Sequence, residues 1–213
     1  FSGADLGTSL KLLGQALSAF EAAGYLVDQS RITSNLGFAY RSLGLYRRAR
    51  RLYVKAAEID RATGLVHRVH SALALATVEM EMGHLKAARA HLAEAAAAVA
   101  MIPQDRFLDF YLPMVSGRLA MLGGDLPAAL GHYKLAVKLL RNGEQPAMEM
   151  NALARLAHVH LAMGNPGPAL AATRRATARA AIRRGWVQPI MPAAPRPAAR
   201  HSFGNCVVLP EPV

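Results

Sequence analysis

Small and apolar residues return along this chain at nearly constant intervals. A glycine followed five residues later by an alanine occurs as Gly44 with Ala49, Gly83 with Ala88, Gly124 with Ala129 and Gly164 with Ala169. These glycines are 39, 41 and 40 residues apart. Twelve residues beyond each stands a second alanine, namely Ala56, Ala95, Ala136 and Ala176. Seven residues before each stands another small residue: Gly37, Ala76, Gly117 and Ala157. A small residue in mid-helix lets a second helix approach closely, and an alanine opposite keeps the pair from being forced apart. The glycine ends the first helix in a left-handed conformation that costs no Cβ clash. Each unit therefore predicts a helix–turn–helix hairpin that cannot bury its apolar face alone, so the units have to stack.

The pattern predicts first helices near 30–43, 66–82, 105–122 and 147–163. It predicts second helices near 5–25, 46–63, 85–101, 126–141 and 166–184. Gly124-Asp125 and Gly164-Asn165 supply turn and capping residues, and Pro103 and Pro146 stand where first helices begin, a place that tolerates proline. Ala4–Leu10 aligns with Gly124–Leu130 at a distance of 120 residues, so the chain opens in the second half of a repeat. With Phe1 in place of a methionine, this leads us to expect a fragment of a longer protein. The expected organisation is a repeat domain over 1–184, made of a half repeat 4–28 and full repeats of about 29–65, 66–103, 104–145 and 146–184. Beyond it, 185–213 holds Trp186, Cys206 and several prolines, out of register, and reads as a Pro-rich disordered tail.

The first full unit reads Asn35-Leu36-Gly37-x-x-Tyr40-x-x-x-Gly44-x-x-x-x-Ala49-x-x-x-Tyr53-x-x-Ala56. It resembles the tetratricopeptide repeat. The other units keep the small residues and place Leu92, Tyr133 and Thr173 where the first has Tyr53. They depart from the family in the tryptophan position, held by Thr33, Ala72, Pro113 and Ala152, in the missing closing proline, and in a period near 40 rather than about 34. The resemblance spans roughly 4–184. It implies an all-α, right-handed α-solenoid of antiparallel hairpins whose first helices line a concave face. Long-period repeats of this sort resemble those of large bacterial signalling regulators, which implies a sensor or scaffold role in signal transduction.

On that geometry the concave face takes Arg31, Ser34, Asn35, Phe38 and Arg41 from the first full unit, and His70, Leu73, Thr77 and Met80 from the second. Tyr111, Met114, Arg118 and Met121 follow from the third, then Asn151, Arg155 and His158 from the fourth. Arginine and aromatic residues anchor partners, and methionine adapts to them. A set with hardly an acid in it points to a protein or peptide partner of acidic character.

Charge adds a second reading. The chain carries a net +11, concentrated in two stretches: eight Arg or Lys against two acids over 30–62, and seven Arg with no acid over 174–200. Arg47, Arg51 and Lys55 recur every fourth residue with Arg48 and Arg50 beside them, a candidate anion-binding stripe for nucleic acid or another polyanion. Arg175, Arg179 and Arg183 form a second stripe. A solvated outer face is the plainer account of both, and a passive spacer between domains is a third reading of the whole.

Chemistry of other kinds finds no foothold in the sequence. No phosphate loop, HExxH, cysteine-pair or nucleophile-elbow pattern occurs. His67 with His70 and His158 with His160 lack the i, i+4 spacing of a helical zinc site. We therefore expect no enzyme activity, no metal and no cofactor. The longest apolar run, Ala95–Pro103, is far short of the roughly 20 residues that span a membrane, and the lone Cys206 gives no disulfide framework. These features lead us to expect a cytoplasmic setting, with self-association possible through uncapped ends.

Overall fold

The recurring glycine ends each first helix through the same set of hydrogen bonds. The computed structural model describes residues 3–102, 105–142 and 145–183. Within these residues it is all-helical: α1 Gly3–Ala23, α2 Leu26–Ser42, α3 Tyr46–Thr63, α4 Leu65–Glu81, α5 Leu85–Val99, α6 Arg106–Leu122, α7 Leu126–Leu139, α8 Pro146–Ala162 and α9 Pro166–Arg183, with a 3₁₀ turn at Leu140–Asn142. Gly44, Gly83, Gly124 and Gly164 have φ of 73°, 79°, 80° and 72°. The residue after each donates back to a carbonyl five positions earlier: Leu45 to Tyr40, His84 to Glu79, Asp125 to Ala120 and Asn165 to His160, at 2.8–2.9 Å. This double-bonded helix end satisfies carbonyls that would otherwise lack partners.

Gly24 makes the same turn between α1 and α2 (φ 73°), with Tyr25 donating to Phe20 at 3.1 Å. As a result α2 starts at Leu26, four residues before the sequence pattern suggested. Two helices are started by an aspartate: Asp125 caps α7 by accepting from the Ala128 N–H at 3.0 Å, and Asp105 caps α6 by accepting from the Phe107 and Leu108 N–H groups. The tail 185–213, Cys206 included, and Pro103 lie outside the described residues.

First and second helices pair as hairpins, α2 with α3, α4 with α5, α6 with α7 and α8 with α9, and the pairs stack in chain order. Besides its hairpin partner and α3, α4 touches the flanking first helices α2 and α6. The core runs through the stack as apolar clusters bridging successive hairpins, such as Leu73, Ala76, Leu108, Val115 and Leu119 between α4 and α6.

The tightest packing lies inside two hairpins. The ring of Tyr53 on α3 lies directly over Gly37 on α2, and the ring of Tyr133 on α7 over Gly117 on α6. A Cβ on Gly37 would come within 2.7 Å of the Tyr53 ring, and one on Gly117 within 2.8 Å of Tyr133. Both tyrosines are buried, so neither ring has room to swing aside. In the other two hairpins the glycine becomes Ala76 or Ala157, and the tyrosine becomes the smaller Leu92 or Thr173.

This pairing predicts that Gly117→Ala or Gly37→Ala destabilises the fold by about 1–3 kcal/mol through overpacking. Adding Tyr133→Leu to Gly117→Ala is expected to recover part of the loss. Urea unfolding of the two single variants and the double variant checks it; simple additivity would show that the pair does not interact.

Candidate functional site

The first-helix face differs between the ends and the middle of the stack. On α2, Arg31, Asn35 and Phe38 are exposed, Phe38 by 49 %, while Ser34 and Arg41 are half-buried. Arg41 is held in place from below, its guanidinium 5.2 Å above the Phe38 ring. Arg31 is paired with Asp28 on its own helix. Asn35 and Phe38, with Ser9, Leu12, Leu13 and Ala39, line an apolar concavity of about 600 Å³ between α1 and α2. In the repeat register, Ser9 and Leu13 stand where Ala129 and Tyr133 of α7 meet α6.

At the far end, Asn151, Arg155 and His158 are all exposed on α8. They share a second concavity of about 500 Å³ with Met150 and Ala154. Arg155 Nε donates to Asn151 Oδ1 at 3.3 Å.

The middle of the face is closed, and here the sequence reading needs correcting. Leu73, Thr77 and Met80 were expected to face a groove, but their exposures are 1 %, 7 % and 5 %. Having neighbours on both flanks, α4 turns these positions into the core, and the Thr77 hydroxyl donates to the Leu73 carbonyl of its own helix at 2.8 Å. Of that unit only His70 stays exposed. It stacks on Phe107 at 5.8 Å, and desolvation lowers its pKa, with Asp105 opposing and His67 adding to the shift. Phe107 continues the stack onto Tyr111 at 5.1 Å. Tyr111, Met114, Arg118 and Met121 on α6 are half-buried.

One groove residue escaped the sequence reading. Glu81, at the end of α4, lies 2.8 Å from Arg118 and 3.7 Å from Arg41. Three adjacent first helices thus bring two guanidiniums onto one carboxylate, each group about a quarter exposed. Its signal in the sequence was faint: an acid one residue past Met80, in a set otherwise free of acids.

The buried tyrosines connect this face to the packing beneath it. Burial raises the Tyr53 phenol pKa, and the Arg41 guanidinium beside it draws it partly back. Tyr133 behaves alike, with Arg155 in the place of Arg41 and Arg118 adding its charge. Each ring crosses its hairpin beneath a glycine and brings its hydroxyl to a first-helix arginine.

The basic stripe on α3 is also corrected, because it does not present five free cations. Arg50 Nε donates to Glu79 Oε1 at 2.6 Å, and Lys55 lies 2.8 Å from Glu21. Of the second stripe, Arg179 and Arg175 lie 2.9 and 3.8 Å from the buried Glu149. In the α3 stripe, Arg47, Arg48 and Arg51 are left without an ion pair. Glu79 itself is only 1 % exposed and also meets His84 Nδ1 at 2.8 Å. Burial alone would raise its pKa, but the hydrogen bonds from Arg50 and His84 outweigh burial and hold it below the ordinary glutamate value. Among the described residues no group of three His, Cys, Asp or Glu side chains is placed to hold a metal, and no helix is long and apolar enough to cross a membrane.

Residues 31–63 match the family model of the tetratricopeptide repeat. Comparison with curated proteins finds no match. Among solved structures, the chain is similar to BtubC (BKLC) from P. vanneervenii, with 21 % identity, a TM-score of 0.62, and 85 % of this chain covering 72 % of that one. It is similar to a signal transduction ATPase with numerous domains, carrying a tetratricopeptide repeat sensor, from Pyrococcus horikoshii. There the identity is 18 %, the TM-score 0.70, and 83 % of this chain covers 25 % of that protein. It is similar also to the apo form of RapI, at 14 % identity and a TM-score of 0.68, where 85 % of this chain covers 49 % of that one. The chain thus has the tetratricopeptide-repeat fold, and it spans about a quarter and a half of the last two proteins.

The Glu79 cluster yields a pH prediction. A carboxylate whose folded-state pKa is lowered adds stability that is fully present above its unfolded value and lost as the pH falls through the folded one. Glu79→Gln is expected to cost about 1–3 kcal/mol at pH 7, by weakening charged hydrogen bonds. The gap between it and the parent should narrow below about pH 4. Melting curves from pH 7 to 3 check this; a gap independent of pH would mean that Glu79 is not ionised in the fold.

Proposed function

We propose that this chain is a protein-interaction module that recognises an extended or helical segment of acidic character on its first-helix face. The observation that carries the reading is the row of arginines there. Arg41 and Arg118 converge on a single internal carboxylate, and Arg155 stands exposed beside Asn151 and His158. Two flanking concavities supply apolar contact through Phe38 and Met150. An acidic side chain of a partner meets the same guanidiniums that Glu81 meets within the chain, and charge-assisted bonds of this kind are roughly twice as strong as neutral ones. The preformed face limits the ordering cost of binding.

The likeness to a signal transduction ATPase whose repeats are described as a sensor supports placing the module in a larger regulatory protein. There the repeats would receive a partner and other domains would act on it. Nucleic acid is the weaker alternative, since both basic stripes are partly neutralised by Glu79, Glu21 and Glu149. A spacer role leaves the exposed, acid-poor face unexplained.

The test is capture from lysate with and without nuclease, at high salt, with the parent chain and with Arg41→Gln/Arg118→Gln/Arg155→Gln, folding being verified by circular dichroism. A protein retained by the parent and bound at least about tenfold more weakly by the triple variant supports the groove reading. Equal retention by both would sink it in favour of the spacer, and capture abolished by nuclease would favour nucleic acid.

A further inference from the structure

The turn between α2 and α3 lies beside the turn between α4 and α5, and a second kind of site lies between them. A concavity of about 610 Å³ is lined there by Tyr46, Arg47, Arg48, Arg51, Met82 and His84. Three guanidiniums thus border one hollow within the first turn and a half of α3. Among the described residues neither Arg47 nor Arg51 has an ion-pair or hydrogen-bond partner, whereas Arg50, on the same helix, is taken by Glu79. The Arg48 guanidinium is steadied 5.8 Å above the Tyr40 ring. Arg47 and Arg51 are four residues apart on one helix face, where like charges repel, so an anion between them is favoured.

The start of α3 adds to this field. Leu45 precedes the helix and offers no side-chain oxygen to its first N–H groups. Asp125, at the same place before α7, does so. No acid stands in the first turn of α3. No acid lines the hollow, and Glu79, which meets its His84, is buried and already balanced by Arg50 and His84.

We propose that this hollow binds a phosphomonoester-type anion. The charge distribution favours one compact group over a nucleic-acid track. Within the α3 stripe the unpaired cations are Arg47, Arg48 and Arg51, and the stripe ends where Lys55 is neutralised by Glu21. Guanidiniums match phosphate oxygens bidentately, and Tyr46 and Met82 provide an apolar wall for the carbon skeleton of the ester. The site lies on the turn edge of the stack and involves none of the arginines assigned to the acidic partner, so the two readings fail separately.

The experiment titrates the whole chain with sodium phosphate, with O-phosphoserine and with a ten-residue oligothymidylate. NMR follows the arginine Nε signals at constant ionic strength held with chloride. Saturable, millimolar binding of phosphate or phosphoserine is expected, weakened at least about tenfold by Arg47→Gln/Arg51→Gln. Arg174→Gln, a loss of charge on the exposed side of α9, should leave it unchanged. Tighter binding of phosphoserine assigns the site to a phosphorylated side chain, and equal binding assigns it to free phosphate; both uphold the proposal. Three outcomes overturn it: no saturable shift with either anion, an equal affinity in the double variant, or oligothymidylate binding far tighter than both with a steep salt dependence.

Discussion

The distance between the two helices of a hairpin is set where a side chain of the second meets a backbone of the first. In the hairpins α2–α3 and α6–α7 a tyrosine ring lies against a glycine so closely that no Cβ fits between them. In the other two a smaller side chain faces an alanine. In α4–α5 bulk lost on one helix is made up on the other, with Ala76 and Leu92 in one apolar cluster, whereas in α8–α9 Ala157 and Thr173 border an open concavity. The rest of the arrangement hangs on this contact. It brings Ala49, Ala88, Ala129 and Ala169 into the seam, all of them buried, and it carries the Tyr53 and Tyr133 hydroxyls through to the arginines of the first-helix face.

A second regularity is electrostatic. Three glutamates each gather two basic groups: Glu79 takes Arg50 and His84, Glu81 takes Arg41 and Arg118, and Glu149 takes Arg175 and Arg179. Two of the three acids are buried, where an unpaired carboxylate would be costly. Each of these acids already cancels one arginine within the formal charge of +11, so the excess is carried by the arginines and lysines beyond them.

The elements most legible in the sequence were those fixed by local geometry. Gly44, Gly83, Gly124 and Gly164 could be placed at helix ends because a left-handed residue is a local requirement. Gly37 and Gly117 could be placed in the seam because small residues recur there. Gly24 was missed as a helix end because it lies outside that recurring set. The burial of Leu73, Thr77 and Met80 was not legible at all. The equivalent face of α2 is largely open, and only the presence of first helices on both sides of α4 closes it. Nor were the ion pairs of Arg50, Lys55 and Arg179 visible, since their partners lie about 30 residues away along the chain.

The alternation of glycine–tyrosine hairpins with alanine hairpins gives the stack a coarser rhythm than its single repeat. The phenol-backed arginines, Arg41 and Arg155, belong to opposite ends of the first-helix face, with the closed surface of α4 between them. Any chain that engages both must bridge this stretch without help from deep contacts. Under the proposed function each end would act as one arm of a bivalent receptor, and the length and stiffness of the bridging segment would set the effective concentration of the second contact. Discrimination among ligands on this face would rest on the spacing between two anchors as much as on the residues at either one.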